Sequence, residues 1–140
     1  MRDQTIILTW PDHAELTNLV EEQRYRANQH DGTAFERLAV ELARAKLVAS
    51  QDVPFNVVTM NTSFRARDLD TKEKLNLTLS WPDEADPFNN CINVLAPLGM
   101  ALLGCRVGQN VVWSTPGGRR RLCVEEIIYQ PEHDVPMEAC

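Results

Sequence analysis

Residues 91–110 constrain the fold of this chain more than any other stretch. An apolar run at 92–95 has the length and composition of a buried strand. Pro97 ends that strand, because proline donates no backbone N–H and disfavours a regular continuation. Gly104 and Gly108 are placed to end a helix and to open a turn into the next strand. After the proline, four apolar residues recur at the spacing of a helix of one or two turns: Leu98, Ala101, Leu102 and Cys105. The stretch therefore predicts a compact corner of strand, bend, short helix and turn.

Extended patterns surround this corner. Leucines at every second position of 75–79 alternate with polar residues, which is typical of a half-buried strand. The run 56–66 is rich in β-branched residues, and 111–114 and 121–128 flank a Thr-Pro-Gly-Gly turn. Together with 92–95, these segments predict five strands and one short helix. The fold class is α+β, with a mostly antiparallel sheet.

The N-terminal third has helical periodicity instead. Thr9 or Asp12 can cap a first helix whose apolar residues share one face to about Arg26. A second helix begins with a capping box at Thr33, and its apolar residues recur every three or four positions as far as Ala49. Two helices of similar length joined by a tight polar loop predict an antiparallel helical hairpin, a short coiled coil.

The tip of this hairpin carries one carboxylate of interest. Asp31 and Gly32 are the strongest turn signal in the loop between the helices. Each helix of about 15 residues is roughly 22 Å long, so the hairpin is a stub. A tip can be inserted into a partner, which makes Asp31 a candidate contact residue. As an ordinary Asp-Gly turn residue it needs no further role.

The change from helical to extended periodicity at Phe55 predicts the domain organisation. Residues 1–52 are expected to form an N-terminal segment with the hairpin, and residues 53–132 the sheet domain. From Pro131 onward the chain has little to bury, so we expect residues 133–140 to be a loose tail.

Charge argues against a protein that wraps nucleic acid through a broad basic face. The formal net charge is −6 and the sequence pI is about 5.0. A local basic group follows the turn at 115–118, where alternation along a strand would turn Arg120 away from Arg119 and Arg121. These two arginines are candidate contacts to an acidic partner, with a solvated hairpin as the alternative.

Cysteine, histidine and hydropathy patterns favour a cytoplasmic protein without a metal or cofactor. The four cysteines form no CxxC pair and three lie inside apolar stretches, which is typical of buried reduced thiols. The three histidines pair with no cysteine at ligand spacing. No apolar run approaches the roughly 18 residues of a membrane helix. No serine or cysteine is flanked by recognisable activating residues, so no catalytic residue and no enzyme activity are predicted.

Five segments of the chain have the sequence, order and spacing of motifs in one known family. They are Val-Val-Thr-Met-Asn-Thr at 57–62, Pro-Asp-Glu-Ala-Asp at 82–86, Ala-Pro-Leu-Gly-Met-Ala-Leu-Leu-Gly at 96–104, Val-Gly at 107–108 and Tyr-Gln-Pro-Glu at 129–132. Together they resemble the Gre transcription elongation factors, and most closely the group called regulator of nucleoside diphosphate kinase, or Rnk. The resemblance covers residues 6–132.

The resemblance implies a fold and a partner. Gre factors have an N-terminal helical hairpin on an FKBP-like domain and bind bacterial RNA polymerase. The globular domain sits at the mouth of the secondary channel, where the coiled coil reaches in and two tip acids help to hold a magnesium ion for transcript cleavage. By this resemblance Ala96, Pro97 and Leu98 are the candidate docking residues. Nucleic acid would be met only through the polymerase complex.

The chain departs from the Gre pattern at the hairpin. The Gre coiled coil is about twice as long, and Asp31 has no second acid in its loop. The sequence therefore predicts a monomeric polymerase-binding regulator that does not stimulate cleavage. The alternatives are a Gre-type cleavage factor, an FKBP-like peptidyl-prolyl isomerase or peptide-binding module, and a protein that acts on nucleoside diphosphate kinase levels.

Overall fold

The computed structural model describes residues 5–26 and 33–133. The chain divides into two compact units, Met1–Val53 and Pro54–Cys140. The elements of the first unit are β1 (Ile7–Thr9), α1 (Trp10–Arg26), α2 (Thr33–Arg44) and β2 (Lys46–Val48). None of the helices in the described ranges is long and apolar enough to cross a membrane.

The two helices of the first unit begin where the sequence predicts. The N–H of Asp12 donates to Thr9 Oγ1 at 3.4 Å, so Thr9 caps α1 as expected. His13 Nε2 lies 2.9 Å from the carbonyl oxygen of Leu42, which places the start of α1 beside the end of α2. Among residues 10–23 and 36–44 of the two helices, the buried apolar residues are Leu16, Val20, Leu38 and Leu42. The helical N-terminal part is confirmed. Its description as a hairpin or short coiled coil stays a prediction, because residues 27–32 lie outside the described residues.

The prediction that the second helix continues to Ala49 is wrong. α2 ends at Arg44, and Lys46–Val48 pairs in parallel with Ile7–Thr9. The N–H of Lys46 donates to the carbonyl oxygen of Ile6 at 2.9 Å. The helical spacing of two alanines was a weak signal. Pairing with β1 satisfies the backbone groups of Lys46–Val48 in a sheet instead of in a helix.

The second unit contains a five-stranded sheet and one short helix. Its strand order is β5-β4-β3-β7-β6, with β4 and β5 parallel and the other three pairs antiparallel. This confirms the α+β class and the mostly antiparallel sheet, whereas the FKBP-like description stays a prediction. The elements are β3 (Ser63–Asp68), β4 (Lys74–Ser80), β5 (Cys91–Asn93), α3 (Pro97–Leu102), β6 (Asn110–Thr115) and β7 (Gly118–Tyr129).

The long strand expected at 56–66 is wrong before Ser63. Val57 forms an isolated bridge, and Asn61 has a φ of 65°, which breaks an extended ladder. The buried hydroxyl oxygens of Thr59 and Thr62 lie 2.8 Å apart and the N–H of Thr59 donates to Thr62 Oγ1 at 3.0 Å. The two threonines stabilise a turn here, because the Thr62 hydroxyl accepts a backbone N–H of that turn.

The sheet buries one face and curls. Phe64 and Ala66 alternate with half-buried neighbours along β3, and Leu77 of β4 and Val124 of β7 lie on the same face. The pairing of β3 with β7 shifts register twice, and such bulges increase twist. The fully buried residues include Val58, Met60, Phe64, Leu79, Leu102, Leu103 and Leu122.

The chain continues beyond β7 in a folded segment, and the loose tail expected at residues 133–140 stays a prediction. Residues Pro131–His133 form a short 3-10 turn. The ring of His133 stacks on Phe55, with ring centroids 3.9 Å apart and an interplanar angle of 29°. Aromatic stacking thus supplies a contact that counting apolar residues did not reveal. Residues 134–140 lie outside the described residues.

Candidate docking surface

The corner before α3 is fixed by its own backbone. Asn93 accepts two hydrogen bonds: its carbonyl oxygen from the N–H of Ala96 at 2.9 Å, and its Oδ1 from the N–H of Leu95 at 2.8 Å. Ala96 is extended, with φ −72° and ψ 155°, and its carbonyl oxygen accepts the N–H of Met100 at 2.9 Å. Pro97 occupies the first helical turn, where its missing N–H costs nothing.

Gly99 lets α3 lie against the end of β5. A Cβ at this position would stand 2.1 Å from the carbonyl oxygen of Asn93 and 2.8 Å from Val94 Cα. Gly104 then ends the corner at a φ of 81°, and its N–H donates to the carbonyl oxygen of Val58 at 2.9 Å. The two glycines of the Ala-Pro-Leu-Gly-Met-Ala-Leu-Leu-Gly segment are therefore required by close approach and by backbone conformation.

The candidate docking residues form a short surface on this frame, here called the docking corner (Ala96, Pro97 and Leu98). Pro97 is exposed, and the other two are half-buried. Leu102, four residues after Leu98, is fully buried and belongs to the core. The helix thus divides its apolar residues between the interior and the surface, and the docking corner is the outward part.

Arg119 and Arg121 lie elsewhere, on β7. Both are exposed and pair across the strands with Ser114 and Val112 of β6, while Arg120 is half-buried on the other face, as predicted. Arg121 Nη2 donates to Asp70 Oδ1 at 2.8 Å. α3 contacts β6, and the two arginines lie on β7, the next strand of the sheet.

The turn between β3 and β4 is organised by Asp68. Its Oδ1 accepts the N–H groups of Asp70 at 2.8 Å and Thr71 at 3.0 Å, and its Oδ2 accepts Arg120 Nη2. The Thr71 N–H lowers the pKa of Asp68 below its ordinary value of 3.8, and the Asp70 N–H and Arg120 act in the same direction against desolvation. Arg120, which lies between the two exposed arginines in the sequence, therefore stabilises this turn.

The acidic loop between β4 and β5 presents an aromatic ring. Phe88 is 98% exposed in the 3-10 turn Pro87–Asn89. Asp86 Oδ1 accepts the N–H of Phe88 at 3.1 Å, and Asp86 Oδ2 accepts Asn89 Nδ2 at 2.6 Å. Phe88 was not singled out from the sequence, because the exposure of its ring is a property of the folded loop.

Gln130 was also missed as a structural residue. Its Nε2 donates to the carbonyl oxygens of Pro54 at 2.9 Å and Val57 at 2.8 Å, and the side chain is buried. It therefore ties the end of β7 to the first residues of the sheet unit. The Tyr-Gln-Pro-Glu segment carries this residue, but no spacing rule indicates which loop it would bind.

Other predicted features are placed as follows. Asp31, the candidate at the hairpin tip, lies outside the described residues. Cys91, Cys105 and Cys123 are free thiols. Within residues 5–26 and 33–133, no three His, Cys, Asp or Glu side chains are grouped so that they could hold a metal ion.

The family follows from a match that covers more than half of the chain. Residues 52–129 match the family described as "Transcription elongation factor, GreA/GreB, C-term". The chain belongs to this GreA/GreB family. The matched region contains the docking corner, the acidic loop and the whole five-stranded sheet.

Individual relatives agree with this assignment. The chain is 36% identical over 133 residues to the regulator of nucleoside diphosphate kinase from Escherichia coli, covering 94% of this chain and 95% of that protein. Transcription elongation factor GreA from Nautilia profundicola is 32% identical over 120 residues, covering 83% of this chain and 74% of that protein. These matches confirm the resemblance to Gre factors and to their Rnk group.

A solved structure supports the same fold. The prokaryotic transcription elongation factor GreA/GreB from Nitrosomonas europaea superposes with a TM-score of 0.75 at 34% identity. The alignment covers 91% of this chain and 100% of that one. The similarity therefore extends over both units and is not confined to the sheet.

Proposed function

We propose that this protein is a cytoplasmic regulator of transcription elongation that binds bacterial RNA polymerase at the rim of the secondary channel and does not stimulate transcript cleavage. Membership of the GreA/GreB family supports the polymerase as partner. The match to a regulator of nucleoside diphosphate kinase over nearly the full length of both chains supports a regulatory role. Any effect on nucleoside diphosphate kinase would then follow from altered transcription.

The length of the helices carries the second half of the proposal. α1 has 17 residues and α2 has 12. At about 1.5 Å per residue they are roughly 25 Å and 18 Å long, about half of what a Gre coiled coil needs to reach the polymerase active site. Side chains cannot bridge a shortfall of roughly 20 Å, so Asp31 would stop short of the catalytic magnesium ion.

The pattern of coverage agrees with this difference. The Escherichia coli regulator is covered over 95% of its length, whereas the Nautilia profundicola GreA is covered over 74%. About a quarter of that GreA has no counterpart in the alignment. A shorter regulator within the family, and not a shortened cleavage factor, is the better description of this chain.

The docking corner is the contact we assign to the globular unit. Pro97 is exposed between half-buried Ala96 and Leu98, on a helix whose position is fixed by Gly99. A rigid, partly apolar surface loses little conformational entropy on binding. Arg119 and Arg121 are a second candidate contact, for acidic groups of the polymerase, and Asp31 at the tip is a third.

The test is a cleavage assay on a backtracked transcription complex, combined with a binding measurement. We expect this protein to bind core polymerase and to leave the rate of transcript cleavage at its intrinsic value, while a GreA factor in parallel accelerates it. Pro97→Glu should weaken binding at least tenfold, because a charge replaces an apolar contact. The helix itself should be retained, since glutamate is favoured in a first helical turn. Pro11→Glu, at an exposed proline in the first turn of α1, is the matched control.

Two outcomes would contradict the proposal. Acceleration of cleavage comparable to that of GreA would make this protein a cleavage factor. Equal effects of Pro97→Glu and Pro11→Glu on binding would remove the docking corner from the interface.

A further inference from the structure

Phe88 is the most exposed large apolar side chain in the described part of the chain. Its exposed fraction is 98%, so the ring contacts almost nothing within the molecule. Leaving a phenylalanine in water forgoes the stabilisation that burial gives elsewhere in the core. Aromatic side chains are enriched at the centres of protein interfaces, where a partner supplies the missing burial.

The exposure is produced by an organised loop. The carboxylate of Asp86 accepts hydrogen bonds from the Phe88 N–H and from the Asn89 side chain. Asp86 and Cys91 exchange both backbone hydrogen bonds at 3.0 Å, and Asn90 turns the chain at a φ of 59°. The backbone that carries the ring is therefore fixed on the surface before any partner arrives, which lowers the entropic cost of binding.

The surroundings of the ring are acidic. Asp83 and Glu84 are both exposed on the preceding 3-10 turn, Pro82–Glu84. Residues 81–92 contain three acids and no lysine or arginine. A partner surface that fits this loop has an apolar pocket for one aromatic ring, bordered by lysine or arginine side chains.

The loop is continuous with the docking corner. β5 contacts both the Pro87–Asn89 turn and α3, and it is three residues long, which spans about 10 Å. A partner that covers the docking corner and extends along β5 reaches Phe88 within the dimensions of an ordinary interface of about 800 Å² on each side.

We propose that Phe88 is an anchor residue for RNA polymerase, inserted into an apolar pocket with a basic border next to the site that receives the docking corner. This inference rests on the proposed function, since it takes the polymerase as the partner. Asp83 and Glu84 steer the approach, and Asp86 fixes the backbone of Phe88 through its N–H.

Phe55 provides a matched control within the same unit. It is also a largely exposed phenylalanine, at 73%, but its ring already stacks on His133 at 3.9 Å. Its partner is therefore inside the molecule. If exposure alone decided binding, both phenylalanines would contribute, whereas the proposal assigns the contact to Phe88.

The experiment compares dissociation constants for fluorescently labelled protein and core RNA polymerase at two salt concentrations. We expect Phe88→Ala to raise the dissociation constant at least tenfold and Phe55→Ala to change it less than twofold. The double variant Asp83→Asn/Glu84→Gln should slow association and weaken its dependence on salt. Circular dichroism of Phe88→Ala should match the unmutated protein, because the ring has no internal contacts to lose.

The outcomes separate this inference from the function on which it rests. If the unmutated protein binds and Pro97→Glu weakens binding while Phe88→Ala stays within twofold, the anchor is overturned and the proposed function stands. If the unmutated protein does not bind polymerase at micromolar concentration, both are overturned. A tenfold loss for Phe88→Ala without a loss for Phe55→Ala supports the anchor.

Discussion

Replacing Gly99 with alanine tests how α3 is held against the sheet unit. The new methyl carbon would stand 2.1 Å from the carbonyl oxygen of Asn93, whereas ordinary contact begins at 3.4 Å. The neighbouring atoms belong to the backbone, so no side-chain rotation can relieve the overlap. α3 must move away from β5 by about 1 Å or more, which disturbs the hydrogen bonds of the docking corner.

The magnitude follows from two opposing effects. Alanine is favoured over glycine inside a helix by about 1 kcal/mol. Overpacking against atoms that cannot rearrange costs about 1–3 kcal/mol and sometimes more. Because the overlap is with backbone, we expect the upper end or beyond, and a net loss of about 2–4 kcal/mol in the free energy of unfolding.

Urea unfolding followed by tryptophan fluorescence measures this loss. In a Trp10→Phe background, the remaining tryptophans, Trp81 and Trp113, both report on the second unit. With a slope of about 2 kcal/mol per molar urea, the midpoint for Gly99→Ala should fall by about 1–2 M. The variant should also bind polymerase more weakly, because α3 carries the docking corner.

Gly117→Ala is the control. The nearest atom to its new methyl carbon is Thr115 Oγ1 at 3.8 Å, which is ordinary contact. Its free energy of unfolding should stay within about 0.5 kcal/mol of that of the unmutated protein, as expected of a neutral surface substitution. Coincident midpoints for Gly99→Ala and the unmutated protein would refute the close approach of α3 to the end of β5.

Three further predictions concern stability. Asp68→Asn should weaken the dependence of the free energy of unfolding on pH in acid. The pKa of Asp68 is lowered in the folded protein, so its stabilising contribution is present above pH 3.8 and is lost as the pH falls through the pKa of the folded state. Urea midpoints between pH 2 and 6 measure this dependence. An unchanged pH profile would contradict this. Gln130→Leu should cost about 1–3 kcal/mol, because two loop carbonyls lose their donor, while exposed Gln51→Leu should be neutral in the same titration. Leu8→Ala should cost about 2–5 kcal/mol in thermal unfolding, since Leu8 is fully buried in β1; a loss below 1 kcal/mol would mean that the β1–β2 pair is not closely packed.

Local signals predicted most of the sheet unit. Alternating leucines marked β4, in which Leu77 and Leu79 are buried. Proline and glycine marked both ends of α3, because each acts on the backbone of its own segment. Such signals do not depend on distant parts of the chain, which is why they were readable from the sequence.

The errors lie where distant residues decide the local structure. Lys46–Val48 pairs with β1, nearly forty residues earlier, and this pairing overrides a helical pattern. The turn before Ser63 depends on two buried threonine hydroxyls, and β-branched residues there looked like a strand. Tertiary contacts outweighed intrinsic propensity in both cases.

The place of the candidate docking residues in the chain could be predicted from the sequence, whereas the contacts and exposure around them could not. The Ala-Pro-Leu segment was located from its resemblance to Gre factors. The need for Gly99 became clear only when Asn93 was found against it, and Phe88 only when its exposure was known. Steric contact and exposure are properties of the folded chain, so no pattern of residue types could provide them.

The most direct test of the proposed function is competition for core RNA polymerase between this protein and a long-hairpin GreA factor. Tagged protein is bound to the polymerase, and increasing GreA is added. We expect this protein to bind at micromolar concentration or below and to be displaced as GreA occupies the secondary channel. Binding that GreA does not displace would contradict the proposed site, and failure to bind at micromolar concentration would contradict the proposed function.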